Sequence, residues 1–542
     1  MDHELAGEVQ RAGGRGGQWL KRSTTVSLFT GLGVVAGFAV DLLIVARFGL
    51  GAGTDAFFAA YTVPFILITS LAAVGPVLVS VLAGEVHDAP ESDATAFSAL
   101  FFSSGLVALA AAGLGVWLAR PVIALTAPGF DPGTAALASI LAQILFLRVP
   151  FAAASEVCKA ELYARRCFTV ATFSNTVPSL VAVGFLLAAG AQTGIQAAAW
   201  GLALGGLVQA ALLSGVLFGL VKVPFRPRLR QTAPLLRRTA VLVLAPLAGV
   251  LLRQAVTLAE RIIGSFLPAG SLTALSYANR LTMIVAGVSF DGLTTTALPS
   301  LAEGWSKGSI QAARAGLGTL LKVTTTIALP LGLTVAVLST PLARLFFERG
   351  QVGPQQAMLM GRVWGVYALS LPFLGPYRVV QTFFYSVREA KPVVVLHATL
   401  AASSVALDLV LVWSLGAAGL ALSFVLSCSM ATVIGLIWMA RRAGDPLRSS
   451  GEGLNWRRLA GSAWRLGFVS AAMAAALFAT SKGLDAWAGG AGHWGLALNL
   501  GVSALSGAAV FVALGAILHL EAVVVAWKVV KEKWLAGTQP GY

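Results

Sequence analysis

Residues Gly37–Glu85 read GFAVDLLIVARFGLGAGTDAFFAAYTVPFILITSLAAVGPVLVSVLAGE. Two apolar runs of membrane length meet at a Gly-rich corner, with Asp41, Arg47 and Asp55 at the start of the stretch and around its bend. Helices are the expected element, because an open strand leaves backbone N–H and C=O groups unpaired in lipid. A counterpart follows downstream, LTALSYANRLTMIVAGVSFDGLTTTALPSLAEG, at Leu272–Gly304. Aligned on Glu85 and Glu303, both stretches follow a corner containing Gly and Phe with one long apolar helix. Both then close on Leu-Ala-Gly-Glu or Leu-Ala-Glu-Gly, at an offset of about 218 residues.

The duplication extends further. Arg148-Val-Pro150-Phe151 answers Ser370-Leu-Pro372-Phe373, and Leu162-Tyr163-Ala-Arg-Arg166 answers Phe384-Tyr385-Ser-Val-Arg388. The offset there is about 222 residues, with an even number of helices between equivalents, so the halves share one orientation in the membrane. Any one match is explicable by the likeness of small-residue apolar helices. Several in order and in register argue for a repeat, and two such bundles suit alternating access.

Composition agrees with a bilayer protein. Of 542 residues, 57% are hydrophobic and 11% charged, and the mean hydropathy is +0.82; soluble chains carry about 25% charged residues. The net charge of +15 would suggest nucleic acid in a soluble protein. Here the basic residues sit mainly between apolar spans, as the positive-inside rule requires, and no aromatic-interleaved basic patch is present. Cys158, Cys167 and Cys428 have no metal or redox spacing, and the His residues are scattered. The polar, basic N-terminus lacks a small-residue cleavage signal and is expected to stay cytoplasmic.

A span needs roughly 20 apolar residues. On that criterion the chain is an all-α polytopic membrane protein of about fourteen transmembrane helices. The expected organisation is a cytoplasmic tail (1–24), an N-lobe of six helices (25–220) and a basic linker (221–238). A C-lobe of six helices (239–441), a basic loop (442–465), two further helices (466–519) and a cytoplasmic tail (520–542) follow. Lys159, Arg165, Arg166, Lys222, Arg226, Arg237, Arg238, Lys307, Arg388, Lys391, Arg441 and Arg442 fall on the cytoplasmic side, and the opposite loops are nearly bare of cations. The acidic Glu85–Asp93 loop is an exception that weighs little.

Charges within the apolar runs are costly and therefore informative, about 2.5–3.5 kcal/mol each at mid-bilayer on insertion scales. They are Arg148, Arg253, Glu260, Arg261, Arg280, Asp291, Arg362, Arg378 and Asp408. Arg253 and Glu260 are seven residues apart and share a helix face, and Arg280 comes early in the next helix. Arg253 and Arg280 suit an anionic group such as a diphosphate, since guanidinium makes charge-assisted bonds to phosphate oxygens. The alternative is structural ion pairing or snorkelling. Asp408 has Ser404 one turn earlier and Ser423 beyond a Gly-rich corner. Carboxylate plus hydroxyl oxygens is chemistry for Na⁺ or H⁺ coupling, against which stands pairing with a distant Arg.

GFAVDLLIVARFGLGAGTDAFFAAYTVP, SFLPAGSLTALSYANRL, LFFERGQV, FFYSVREAKPV and LGAAGLALS together resemble the MurJ/MviN family of lipid II flippases in the MOP exporter superfamily. The resemblance runs through the twelfth helix. It implies two six-helix lobes around a cationic cavity, with the last two helices offering a groove to a polyprenyl tail. It implies cavity cations at Arg280 and Arg47, to which Arg253 adds one of this chain's own, gate residues at Asp55 and Asp41, and a cation site of Asp408, Ser404 and Ser423 with Glu260 near it. Where the family pattern places Arg on the first two helices, this chain has Val34, Val40 and Ile68 or Thr69.

The expected function is flipping of a polyprenyl-diphosphate-linked cell-wall precursor, lipid II, from the inner to the outer leaflet of the bacterial cytoplasmic membrane. The alternatives are export of another lipid-linked oligosaccharide, of O-antigen or capsule type, or MATE-like cation-coupled antiport. A cationic cavity repels cationic drugs. A membrane enzyme is disfavoured, because no loop has room for a catalytic domain. No cofactor is expected beyond a coupling Na⁺ or H⁺. The expected partners are membrane lipid and the glycan-carrying substrate, without nucleic acid, and the protein is expected to be a monomer.

Overall fold

A computed structural model of the protein describes residues 28–88, 90–226, 229–307, 309–442, 456–488 and 492–520. The expected N-terminal tail, most of the C-terminal tail and of the loop at 442–465, and the side chains of Glu85–Asp93 lie outside the described residues. Among the described residues every regular element is helical. Among those residues twelve helical stretches are long and apolar enough to cross a membrane. Two bent pairs, Ala233–Leu244 with Leu247–Gly264 and Pro354–Ala368 with Leu371–Ser386, raise the count to fourteen if each is one span.

The chain divides into two compact units after Gly270. The first contains α1 (Leu28–Phe48), α2 (Ala52–Asp88), α3 (Pro90–Trp117), α4 (Ala119–Thr126) and α5 (Pro132–Phe146). It continues with α6 (Arg148–Ala164), α7 (Phe168–Phe173), α8 (Val177–Thr193), α9 (Gln196–Gly215) and α10 (Leu229–Gly264). Its main core gathers Leu78 and Leu82 of α2, Phe97 and Leu100 of α3, Val157, Cys158 and Leu162 of α6, and Leu213 of α9. Leu235 and Leu236 pack onto this core. So α10, the first helix of the second lobe by sequence repeat, lies in space against α2 and α3 of the first unit.

The second unit contains α11 (Ser271–Ala286), α12 (Gly292–Ser306), α13 (Ile310–Phe347), α14 (Pro354–Ala368) and α15 (Leu371–Ser386). After these come α16 (Ala390–Leu415), α17 (Ala417–Arg442), α18 (Trp456–Ala488) and α19 (Gly492–Ile517). A core of Leu317, Leu321, Tyr377, Val380, Phe383, Leu396 and Met439 joins α13, α15, α16 and α17. The two appended helices dock on α13, where Leu338 meets Met473, Leu477 and Leu500.

With little gain from burying apolar surface in lipid, helix pairs associate through close packing of small residues. Both units use the same device. Gly201 and Gly205 of α9 face α8, and a Cβ on Gly205 would come 2.6 Å from the backbone of Pro178. Gly361 and Gly365 of α14 face α13, and a Cβ on Gly361 would come 2.6 Å from the Thr340 backbone. Outside the spans, Asp131 caps α5 by accepting from the backbone N–H groups of Gly133 and Thr134, each at 3.0 Å. The Thr134 hydroxyl, 2.6 Å away, is the largest influence holding the Asp131 carboxyl below its usual range.

Candidate functional site

In the first unit the polar residues of the opening stretch converge on the α1–α2 corner. Gly49 ends α1 at φ 66°, and its N–H reaches Val45 O at 2.8 Å. Gly51 N–H donates to Thr54 Oγ1 at 3.0 Å, which caps the start of α2. Asp55, one residue on and 4% exposed, accepts from the backbone N–H of Gly270 at 2.6 Å. Gly270 has φ 91°, and a Cβ there would press on Leu50 O at 3.1 Å. The corner is therefore pinned to the segment after α10 by one charge-assisted bond and by a glycine that lets two backbones approach.

Asp41 is buried in α1. Arg47 donates to the carbonyls of Leu186 and Leu187 on α8, ties α1 to α8, and occupies space that Gly190 leaves open. Glu260 and Arg261 are buried on α10, and the Arg261 guanidinium lies 5.8 Å from the Phe58 ring centre. Two turns earlier Arg253 is exposed, with no hydrogen bond or ion pair among the described residues. Where the family pattern has Arg on the second helix, Ile68 is half-buried and Thr69 accepts from Gln254 of α10 at 3.0 Å. Val40 is buried and Val34 exposed.

In the second unit Arg280 is exposed on α11. One turn of π-helix, Gly287–Asp291, joins α11 to α12 and presents Asp291 to Arg378 of α15, with which it forms an ion pair. Asp408, Ser404 and Ser423 come together with no exposed surface. Ser423 Oγ donates to Asp408 Oδ1. Asp408 Oδ2 and Ser404 Oγ are buried without a hydrogen-bond partner. A buried carboxylate oxygen left uncompleted beside a free hydroxyl is costly. It fits a proton or a small hard cation with oxygen ligands. Among the described residues no three His, Cys, Asp or Glu side chains cluster as a transition-metal site would require. Glu260 belongs to the first unit.

Residues 44–495 match the family model described as lipid II flippase MurJ. The chain belongs to the MurJ lipid II flippase family. Curated MurJ relatives agree along most of the chain. A lipid II flippase MurJ of Burkholderia cenocepacia is 26% identical over 439 residues, covering 77% of this chain and 83% of that one. A probable MurJ of Rhizobium meliloti is 26% identical over 400 residues, 71% of this chain and 74% of the relative. Among solved structures, a lipid II flippase MurJ in an inward closed conformation superposes with a TM-score of 0.74 at 18% identity. It covers 93% of this chain and 100% of that chain. An inward-facing MATE transporter of the MOP superfamily superposes at 0.63 and 17% identity, over 77% of this chain and 96% of its own. Both superpositions speak to the fold, which is shared by MurJ and MATE transporters.

Two features of this MurJ-family chain escaped the sequence. One is the Asp291–Arg378 pair, whose partners are far apart in the chain and share no motif. The other is the set Glu156, Lys159 and Asn175, where the buried Lys159 ammonium donates to Glu156 Oε1 at 2.7 Å and Asn175 Oδ1 at 2.9 Å. The spacing of Glu156 and Lys159, three residues apart on a helix, is the only signal that pointed to it.

Proposed function

We propose that this protein moves lipid II, a polyprenyl-diphosphate-linked peptidoglycan precursor, from the inner to the outer leaflet of the cytoplasmic membrane by alternating access. The single observation that carries this reading is the MurJ family match across residues 44–495. Arg253, exposed and unengaged among the described residues, and Arg280 are the cations assigned to the diphosphate, which guanidinium binds with charge-assisted hydrogen bonds. Asp55 and Asp41 are assigned to the gate corner. Arg47, tied to α8 carbonyls, acts as a clamp at that corner. Asp408, Ser404 and Ser423 hold the coupling Na⁺ or H⁺. Both termini are cytoplasmic, and the protein works as a monomer.

The test is replacement of the resident lipid II flippase of a bacterium by this protein, with lipid II exposure at the outer leaflet as the readout. Restored exposure supports the assignment, with loss in Arg253→Ala and Arg280→Ala variants that still insert. Absence of exposure with the unaltered, inserted protein sinks it. Retained exposure in both variants removes the diphosphate role from these two arginines.

A further inference from the structure

Ten described residues have a backbone φ in the left-handed region, and their identities sort by helix end. Gly49, Gly194, Gly270, Gly350, Gly416 and Gly492 are the glycines. Counting spans from a cytoplasmic N-terminus puts all six at outward ends. The other four are Arg166 at φ 62°, Lys222 at 58°, Arg388 at 60° and His519 at 52°. The same count puts all four at cytoplasmic ends.

Glycine is the residue suited to this backbone, because any Cβ crowds the following carbonyl. Three long cationic side chains nonetheless occupy it, each at a helix C-terminal stop, those of Arg166 and Arg388 closing α-helices and that of Lys222 a π-helical turn. Cys167 N–H reaches back to Leu162 O at 2.7 Å across Arg166, Val223 N–H to Leu217 O at 3.1 Å across Lys222, and Glu389 N–H to Phe384 O at 2.9 Å across Arg388. The helix dipole favours a cation at any C-terminus. Gly49, Gly194 and Gly416 also close helix C-termini, those of α1, α8 and α16, so the dipole does not explain the division. The positive-inside rule asks only for cations somewhere in the loop, not at its most strained position. What differs between the two sets is the leaflet they meet.

The surroundings of the three caps are alike. Each cation is exposed, with no side-chain hydrogen bond or ion pair among the described residues. The nearby carboxylates are already engaged: Glu161 with Arg165 at 2.5 Å, and Glu389 with Arg442 Nε at 2.7 Å. Each cation also follows an aromatic residue by three or four positions. Tyr163 is half-buried beside Phe168, Phe218 is 38% exposed beside Phe225, and Tyr385 is 50% exposed. The amphipathic rings of Tyr settle at the membrane–water boundary, as expected of Tyr163 and Tyr385, while Phe218 offers Lys222 an apolar neighbour. A cation one turn beyond such a residue is placed to reach headgroup phosphates.

We propose that Arg166, Lys222 and Arg388 are docking points for anionic phospholipids of the inner leaflet. The cation holds the lipid phosphate, and the aromatic residue before it lies along the glycerol and upper acyl region. Juxtamembrane cations attract anionic lipid in this way. The left-handed stop fixes where each cation leaves its helix. This inference rests on the orientation given under Proposed function and is independent of the cargo.

The experiment uses the full chain in nonionic detergent, melted with phosphatidylcholine or with phosphatidylglycerol added. The unaltered protein is expected to melt higher with phosphatidylglycerol. In the triple variant Arg166→Gly, Lys222→Gly, Arg388→Gly that gain should fall to half or less, while the melting point in detergent alone stays level or rises. A variant removing three other exposed cations, Lys307→Gln, Lys391→Gln and Arg237→Gln, should keep the gain. A full gain in the triple glycine variant overturns the proposal, as does an equal loss in the comparison variant. Orientation is read separately from Cys167, the one exposed native cysteine among those described. An impermeant maleimide should label it only after the cells are opened, and labelling of intact cells refutes the orientation whatever the lipid result.

Discussion

Asp55 and Asp408 are both buried carboxylates on apolar helices, and they differ in what completes them. Asp55 sits in the first turn of α2 and is joined by the N–H of Gly270, a donor fixed by the backbone. Asp408 lies mid-helix in α16, bonded on one oxygen by Ser423, while its other oxygen and Ser404 Oγ have no partner. A carboxylate completed by backbone N–H groups holds structure in place. One that is half completed has a position for a ligand. The same residue type thus serves as a pin in one unit and, in the other, as the half-completed carboxylate to which ion coupling is assigned in the proposal.

The largest effect is expected at the pin. Asp55→Ala removes the acceptor of a buried, charge-assisted bond, which costs about 1.5–3 kcal/mol. It should lower the thermal midpoint of the purified protein clearly and abolish transport. A variant that melts like the unaltered protein would show that the α1–α2 corner is held by something other than Asp55.

Much of this contrast could be read from the chain. The apolar runs gave the helices because lipid leaves the backbone no other regular solution. Asp408, Ser404 and Ser423 stood out because charge within an apolar run is rare, and helical spacing already stacked Ser404 over Asp408. The TDAFF block marked Asp55 as part of a corner. Its partner was out of reach, since a backbone N–H donor carries no side-chain signature. The packing of α10 on α2 and α3 was hidden for a related reason. The repeat assigns helices by descent, whereas Leu235, Leu236 and Gln254 assign this one by contact. Arg47 shows the same limit: a cation in sequence says nothing of whether an anion or a carbonyl will meet it.

Arg47 gives the intermediate effect and sharpens the comparison within the first unit. Its guanidinium reaches two successive carbonyls of α8, a forked geometry that an ammonium does not reproduce. Arg47→Lys should therefore cost about 0.5–1.5 kcal/mol, the size of one ordinary hydrogen bond. Lipid II exposure should survive in proportion to the folded protein remaining. Full stability with lost transport would instead make Arg47 a cargo contact and leave the clamp without support.

The smallest change in stability is expected at Asp408. Asp408→Asn keeps the shape of the side chain and still accepts from Ser423, and it removes a buried charge that lacks a full set of partners. The variant should melt within about 0.5 kcal/mol of the unaltered protein, the usual range for a substitution without packing change. Its response to the coupling ion should be gone. A cation held at a hundred times its dissociation constant stabilises the protein that binds it by about 2.7 kcal/mol. Sodium at constant ionic strength should then raise the midpoint of the unaltered protein and leave that of Asp408→Asn where it was. If proton is the coupling ion, sodium moves neither midpoint, and the difference appears instead as transport that no longer follows the proton gradient. An Asp408→Asn protein that keeps its ion-dependent transport would make Asp408 a second structural carboxylate. The contrast with Asp55 would then reduce to the choice of donor, a hydroxyl in one unit and a backbone N–H in the other.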